Sequence, residues 1–155
     1  MSAYLMWSIK QSLLGYISSL EDGLITTKEP ASELNQLFVF RASTDNGFDW
    51  ESNTGVLQFE GSVLFTGYGG MMSVEIRNPM LTLEAGLGTL ATEFGGSFGP
   101  AKSFDVASVK HISGNEYSAT LVESGRAILG PQYQVGDVLD TFTIGPNFDS
   151  LESNL

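Results

Sequence analysis

The chain contains no cysteine, and this absence excludes several classes of function at once. Without a thiol, its 155 residues cannot form a disulfide, a zinc–thiolate site, an iron–sulfur cluster, a thioether-linked cofactor or a cysteine nucleophile. The absence does not identify the redox compartment, because a domain of this length has enough core to be stable without disulfides.

Basic residues are also scarce. Seven Lys and Arg stand against eighteen Asp and Glu, which gives a formal net charge of -11. A nucleic-acid-binding surface needs a basic stripe that displaces counterions, and an anionic membrane surface attracts basic patches in the same way. We therefore expect neither a nucleic-acid partner nor docking on an anionic membrane.

Long apolar runs and export signals are missing too. No stretch approaches the ~18 apolar residues of a membrane span. The opening residues Met1 to Tyr4 lack the basic patch and apolar run of a signal peptide. The sequence as it stands predicts a cytoplasmic protein without membrane insertion. The alternative is a secreted or cell-surface protein whose signal segment has been removed.

The usual catalytic motifs are absent. His111 is the only histidine, and no Gly-x-Ser-x-Gly elbow accompanies it. The glycine-rich segment 67–70 lacks the Lys-Ser/Thr ending of a phosphate loop. Asp45, Asp49 and Glu51 match no calcium-loop spacing, so we interpret them as a solvated acidic turn. These absences give an enzyme little support.

What the chain does contain is typical of β structure. Eighteen glycines, ten phenylalanines and many Val, Leu, Ile and Thr residues suit short strands joined by tight turns. We expect a mainly β fold, an antiparallel β sandwich or flattened barrel, with an N-terminal α-helix against one opening. A short helical turn lies near the C-terminus. A single domain spans residues 1–145, and a polar, frayed tail spans 146–155.

The first segment, residues 2–20, shows a helical period. Apolar residues recur there at three- and four-residue spacing: Leu5, Ile9, Leu13, Tyr16, Ile17 and Leu20. Ser2 is a candidate N-cap, and Gly23 marks the end. Tyr16 falls near the middle of the apolar face and Ser12 at its edge, so both should point inward. From periodicity alone, a packed core tyrosine is the ordinary interpretation.

After this segment the period changes to two, which indicates strands. Gly61 sits in the middle of one long predicted strand, where we expect a bend or a close backbone approach. Asn78-Pro79 breaks a later strand. The predicted strands cover 37–41, 55–67, 72–76, 81–83, 89–94, 104–113, 116–123 and 138–144; the predicted helical turn covers 124–129, and residues 94–100 are a predicted loop.

Several motifs then occur in the order of a known family. The spacing of Leu5, Trp7, Ile9, Lys10, Ser12 and Tyr16 resembles the opening motif of the Htaa-domain family, bacterial haem-binding modules used in haem uptake. Residues 61–67 resemble the family's long strand and turn, and Asn78-Pro79 its strand break. Residues 104–107 and 119–142 resemble its later blocks. The ordered agreement runs from residue 5 to residue 144.

The resemblance implies a ferric haem site built from named residues. Tyr16 corresponds to the family's axial iron ligand, and Ser12 is placed to hydrogen-bond a propionate. Tyr133, in the C-terminal block, also touches the haem edge. A phenolate is a hard, anionic ligand that suits ferric iron. The phenol must lose its proton far below its free pKa of ~10, so it needs the iron charge and a hydrogen-bond partner.

The chain departs from the family pattern at two positions. Tyr68 stands where the family usually has a histidine in a Gly-His-x-Gly turn, and Gln132 replaces an aromatic residue. Three roles are open for Tyr68: it donates a hydrogen bond to the phenolate, it binds the iron itself, or it fills the pocket. If haem binding is lost, the fold serves as a binding module for another ligand or a protein. A haem-dependent enzyme is the least supported option. The oligomeric state, including a homodimer, and a role in transport, storage or sensing are open.

Overall fold

The computed structural model of the protein describes residues 3–44, 47–95 and 101–148. Every strand pairing among these residues is antiparallel. In chain order the elements are β1 (Tyr4–Trp7), α1 (Gln11–Ser19), β2 (Leu24–Lys28), β3 (Ser32–Leu34), β4 (Leu37–Thr44), β5 (Gly55–Glu60), β6 (Ser62–Gly67), β7 (Met72–Arg77), β8 (Met80–Glu84), β9 (Leu87–Phe94), β10 (Lys102–Ser113), β11 (Glu116–Leu121), α2 (Glu123–Leu129) and β12 (Val138–Gly145).

Eight strands close into a barrel. Their order is β1-β12-β11-β10-β9-β8-β5-β4, and β1 completes the ring because it pairs with both β12 and β4. Leu5, for example, lies opposite Ile144 on one side and Phe40 on the other. The short strand β3 pairs with residues 37–39 of β4, a part of β4 that does not pair with β5. A closed ring satisfies its backbone groups internally and leaves no barrel edge exposed.

A second, three-stranded sheet packs against the barrel. Its order is β2-β6-β7. Phe65 of this sheet meets Phe38 of the barrel edge to face, with ring centroids 5.7 Å apart, so the two sheets share one core. The shared core agrees with the flattened barrel or sandwich predicted from the sequence.

The predicted long strand 55–67 is two strands in different sheets. The chain turns at Gly61, which has a φ of +107°. A Cβ atom there would overlap the backbone of Ala31. The predicted bend is confirmed, but a single continuous strand was wrong, because the turn at this glycine carries the chain from the barrel to the second sheet.

The predicted helix over residues 2–20 was wrong in its first half. Residues 4–7 form β1, and the helix begins only at Gln11. Leu5, Ile9 and Leu13 are four residues apart, which is compatible with a strand as well as a helix. Residues 4–7 form a strand because β1 pairs with β12 on one side and with β4 on the other. Between the two elements, Ile9 has a φ of +66°, which ends the extended conformation. Ser2 lies outside the described residues.

Most other predicted elements are confirmed. The hairpin around Gly114 is β10 and β11, and Phe142 and Ile144 of β12 are buried as expected. Strands β2 and β3 were missed, because they contain no fully buried residue and so lack an apolar face. Residues 96–100 of the predicted loop and 149–155 of the predicted tail lie outside the described residues. In the part of the chain that the structure describes, no helix has the length and apolarity to cross a membrane.

Candidate functional site

A cleft of about 670 Å³ opens where three connections of the barrel meet. It lies between α1, the turn that joins β6 to β7, and the segment from α2 to residue 133. Small-molecule sites usually measure ~300–1,000 Å³, so the cleft is large enough for a sizeable ligand. The lining residues are Ser12, Tyr16, Tyr68, Met71, Met72, Ser73, Val74, Ala127, Ile128, Leu129, Gly130, Pro131, Gln132 and Tyr133.

Tyr16 faces this cleft rather than the core. Helix α1 buries Leu13, Leu14 and Ile17, whereas the side chain of Tyr16 is 41% exposed. The prediction that Tyr16 and Ser12 point inward was wrong. Because the residues before Gln11 are not helical, the apolar face of the helix is defined by Leu13, Leu14 and Ile17 alone. The middle of that face lies roughly 100° from Tyr16 around the helix axis. Ser12 is likewise exposed and lines the cleft one turn earlier.

Tyr16 and Tyr68 form a hydrogen-bonded pair. Their hydroxyl oxygens are 2.9 Å apart, and the ring centroids are 6.5 Å apart with the planes tilted by 52°. The hydrogen bond to Tyr68 is the largest cause that raises the pKa of Tyr16 above its usual value. Partial burial and electrostatic interaction with Tyr68 raise this pKa further. In the unliganded protein the pair therefore favours a neutral Tyr16.

The turn that carries Tyr68 is held by a carboxylate from the end of α1. Tyr68 has a φ of +53°, which is unusual for a non-glycine residue. Asp22 accepts hydrogen bonds from the backbone N–H of Tyr68 on Oδ1, at 3.0 Å, and of Gly69 on Oδ2, at 2.7 Å. These two bonds lower the pKa of Asp22 below its usual value. Sequence reasoning missed Asp22, because 46 residues separate it from the turn and no local pattern links the two.

Tyr133 lines the cleft from the loop after α2. Its side chain is only 8% exposed, and burial is the largest cause that raises its pKa. Hydrogen bonding with Ser12 and Gln132 offsets that rise, while the charge of Asp137 adds to it. The fold thus brings Ser12 and Tyr133 together, from α1 and from the loop after α2. All four residues singled out from the sequence line one cleft.

The remaining walls are mostly apolar. Val74 and Leu129 are buried, whereas Met71 is 91% exposed at the rim. Met72 packs against the core, as the sequence predicted, and also lines the cleft. Among the residues that the structure describes, none of those that line the cleft is charged. An anionic ligand in this cleft would have to be held by hydroxyl, amide and backbone groups.

The start of α1 is fixed by the last strand of the barrel. The indole N–H of Trp7 donates to the carbonyl of Asp140 at 2.7 Å, and the hydroxyl of Ser8 donates to the Asp140 carboxylate at 2.6 Å. The N–H of Asp140 in turn donates to the carbonyl of Ile9 at 2.9 Å. Three hydrogen bonds to one residue of β12 therefore set where the helix that carries Tyr16 begins.

Helix α2 lies close against the barrel because of a glycine. A Cβ atom on Gly125 would overlap the backbone carbonyl of Val106, which sits at a bulge in β10. That carbonyl accepts a hydrogen bond from the N–H of Val122 at 3.1 Å. The close approach places Ile128 and Leu129 in the cleft wall.

Other polar groups of interest lie apart from the cleft. His111 places Nε2 2.8 Å from the carbonyl oxygen of Gly114, in the β10–β11 hairpin. Asp49 accepts backbone hydrogen bonds from Glu51 and Ser52, as expected of an acidic turn. Asp45 lies outside the described residues. Within the described ranges, no group of three or more His, Cys, Asp or Glu side chains could hold a metal ion.

Comparison with known proteins points to one family. The profile of the Htaa family matches residues 2–145. Among solved structures, the C-terminal domain of HtaA from Corynebacterium glutamicum is 25% identical, with a TM-score of 0.75 over 93% of this chain and 94% of that one. The N-terminal domain of the same protein is 20% identical, with a TM-score of 0.77 over 93% and 95%. The heme binding protein HtaB from that organism is 15% identical, with a TM-score of 0.65 over 94% of each chain. Curated protein sequences give no match.

Proposed function

This chain belongs to the Htaa family, and on that premise we propose that it binds ferric haem, with the phenolate of Tyr16 as the axial ligand of the iron. The observation that carries the proposal is the position of the Tyr16 hydroxyl, which faces an open cleft and meets the hydroxyl of Tyr68 at 2.9 Å. The similar fold of HtaB, a heme binding protein, agrees with this use of the cleft.

The chemistry of a tyrosinate site fits this pair of phenols. Ferric iron is a hard cation and prefers an anionic oxygen ligand. In the free protein the pKa of Tyr16 is raised, so haem binding must displace its proton. Once Tyr16 is a phenolate, the hydroxyl of Tyr68 can only donate to it, and that hydrogen bond favours the charged form. Tyr68 then supplies the hydrogen bond that a histidine supplies in the family pattern.

The distance between the two hydroxyls favours this role over iron ligation by Tyr68. The oxygens of Tyr16 and Tyr68 are 2.9 Å apart, which is hydrogen-bond distance. A Tyr16 phenolate that held the iron would therefore have the Tyr68 hydroxyl within reach as a donor. Tyr68 is 54% exposed and leaves the cleft open, which also argues against a residue that fills it.

We assign the propionates to the part of the cleft wall formed by Ser12 and Tyr133. Ser12 and Tyr133 lie together there, and hydroxyl groups can donate to a carboxylate. No lining residue carries a positive charge, so hydrogen bonds rather than ion pairs would hold these groups. The apolar walls, among them Met72, Val74 and Ile128, would cover the porphyrin.

Titration with hemin tests the proposal. The purified protein should develop the absorption bands of a ferric tyrosinate complex, and Tyr16→Phe should abolish them. Tyr117→Phe is the matched control, because the Tyr117 hydroxyl is buried without a hydrogen-bond partner among the described residues and lies outside the cleft. This control should bind hemin like the wild type. A wild-type spectrum identical to that of free hemin would overturn the proposal.

A further inference from the structure

We infer that Asp22 is a positioning residue of this site: its carboxylate holds the Tyr68 turn so that the Tyr68 hydroxyl stays on Tyr16. The inference rests on the proposed haem site and adds a residue that does not line the cleft. Asp22 would act on the iron ligand through Tyr68, without contact with haem.

The geometry gives Asp22 control over orientation as well as distance. Its two carboxylate oxygens bind two successive N–H groups, those of Tyr68 and Gly69, at 3.0 and 2.7 Å. Asp22 follows three residues after the end of α1, the helix that carries Tyr16. The carboxylate therefore connects the chain segments that bear the two phenols. Because the acceptor is charged, both hydrogen bonds are stronger than bonds between neutral groups.

The backbone conformation of the Tyr68 turn requires such a support. Tyr68, Gly69 and Gly70 all have positive φ angles, at +53°, +64° and +94°. Two of these residues are glycines that accept the conformation readily, but the tyrosine does not. Its ring is 54% exposed, so packing in the core does not fix it. The described contacts leave the Asp22 carboxylate as the group that binds the backbone of Tyr68 from another element.

Substitution of the carboxylate tests the inference in the full chain. Asp22→Asn keeps the shape but can accept only one of the two N–H groups, and Asp22→Ala accepts neither. Both variants should accelerate haem dissociation, by up to about ten-fold for the loss of the hydrogen bond to the phenolate. Both should also shift the tyrosinate absorption band. Asp49→Asn is the matched control, because Asp49 likewise accepts two backbone N–H groups but lies outside the cleft. It should change neither quantity.

A double-mutant cycle separates positioning from a general loss of stability. If Asp22 acts through the Tyr68 hydroxyl, Asp22→Asn should have no further effect on haem dissociation in a Tyr68→Phe background. Additive effects of the two substitutions would overturn the inference, and so would an Asp22→Asn variant with wild-type dissociation and spectrum.

A readout without haem keeps this inference distinct from the proposed function. In the protein without haem, the Asp22 carboxylate accepts from the backbone N–H groups of Tyr68 and Gly69. Amide hydrogen exchange at these two N–H groups should therefore be faster in Asp22→Asn than in the wild type, and unchanged in Asp49→Asn. If hemin gives no complex, the proposed function fails, while this exchange still decides whether Asp22 holds the Tyr68 turn. Unchanged exchange at Tyr68 and Gly69 refutes the positioning role.

Discussion

Removal of one hydroxyl, in Tyr68→Phe, should weaken haem binding. The hydroxyl of Tyr68 lies 2.9 Å from that of Tyr16. In the proposed complex it would donate to the Tyr16 phenolate and stabilise the charged form, so its loss should speed the release of haem. The backbone conformation at Tyr68 is kept, because phenylalanine differs only in the missing oxygen.

The size of the effect follows from the exposure of the pair. A hydrogen bond to a charged group contributes about 1.5–3 kcal/mol. Tyr16 and Tyr68 are 41% and 54% exposed, so water competes for the phenolate and the lower end applies. About 1.5 kcal/mol corresponds to a roughly ten-fold increase in the dissociation constant of haem. We expect most of this change in the dissociation rate.

Transfer of haem to an excess of a haem-scavenging protein measures that rate. Tyr68→His provides the positive control, because an imidazole N–H restores a donor at this position and should restore tight binding. A Tyr68→Phe variant that releases haem at the wild-type rate would refute the hydrogen-bond role.

Three further predictions concern packing, charge and pH. Gly125→Ala should destabilise the fold by about 1–3 kcal/mol in urea melts, because the new Cβ would overlap the Val106 carbonyl. Gly15→Ala should instead stabilise α1 by up to about 1 kcal/mol, because its Cβ would lie in open space. Haem carries anionic propionates and the chain a net charge of -11, so stopped-flow association should become faster as salt screens their repulsion, and a decrease would contradict this. The folded protein lowers the pKa of Asp22 and of Asp49, so these carboxylates stabilise the fold above the unfolded pKa of about 3.9, and this stabilisation is lost as pH falls through the lowered values. In Asp49→Asn one of these groups no longer titrates, so the unfolding midpoint should fall less steeply with acid than in the wild type.

Local patterns in the sequence predicted those elements whose pairing partners are close along the chain. Strand β11 alternates clearly between buried and more exposed residues, β10 and β12 alternate over part of their length, and all three were predicted. Strand β1 was mistaken for helix because its identity depends on β4 and β12, and the latter lies more than 130 residues away. Tertiary pairing of this kind overrides local periodicity.

The residues of the candidate site were predicted unevenly. Family resemblance indicated Ser12, Tyr16, Tyr68 and Tyr133, and the structure places all four around one cleft. Their roles toward haem stay predictions. Periodicity gave the wrong direction for Tyr16, because the apolar face of a nine-residue helix differs from that of the longer helix first expected. No sequence pattern indicated Asp22, since a carboxylate that binds backbone N–H groups needs only to lie close to them in the fold.

The hydrogen bonds between Asp140 and residues 7–9 have a consequence for the order of events during synthesis. During synthesis, the segment that bears Tyr16 is made some 130 residues before Asp140, the residue that fixes where α1 begins. Until β12 has left the exit tunnel, β1 lacks one of its two neighbours and the barrel stays open along that seam. We therefore expect the cleft to reach its final geometry only after β12 has been translated.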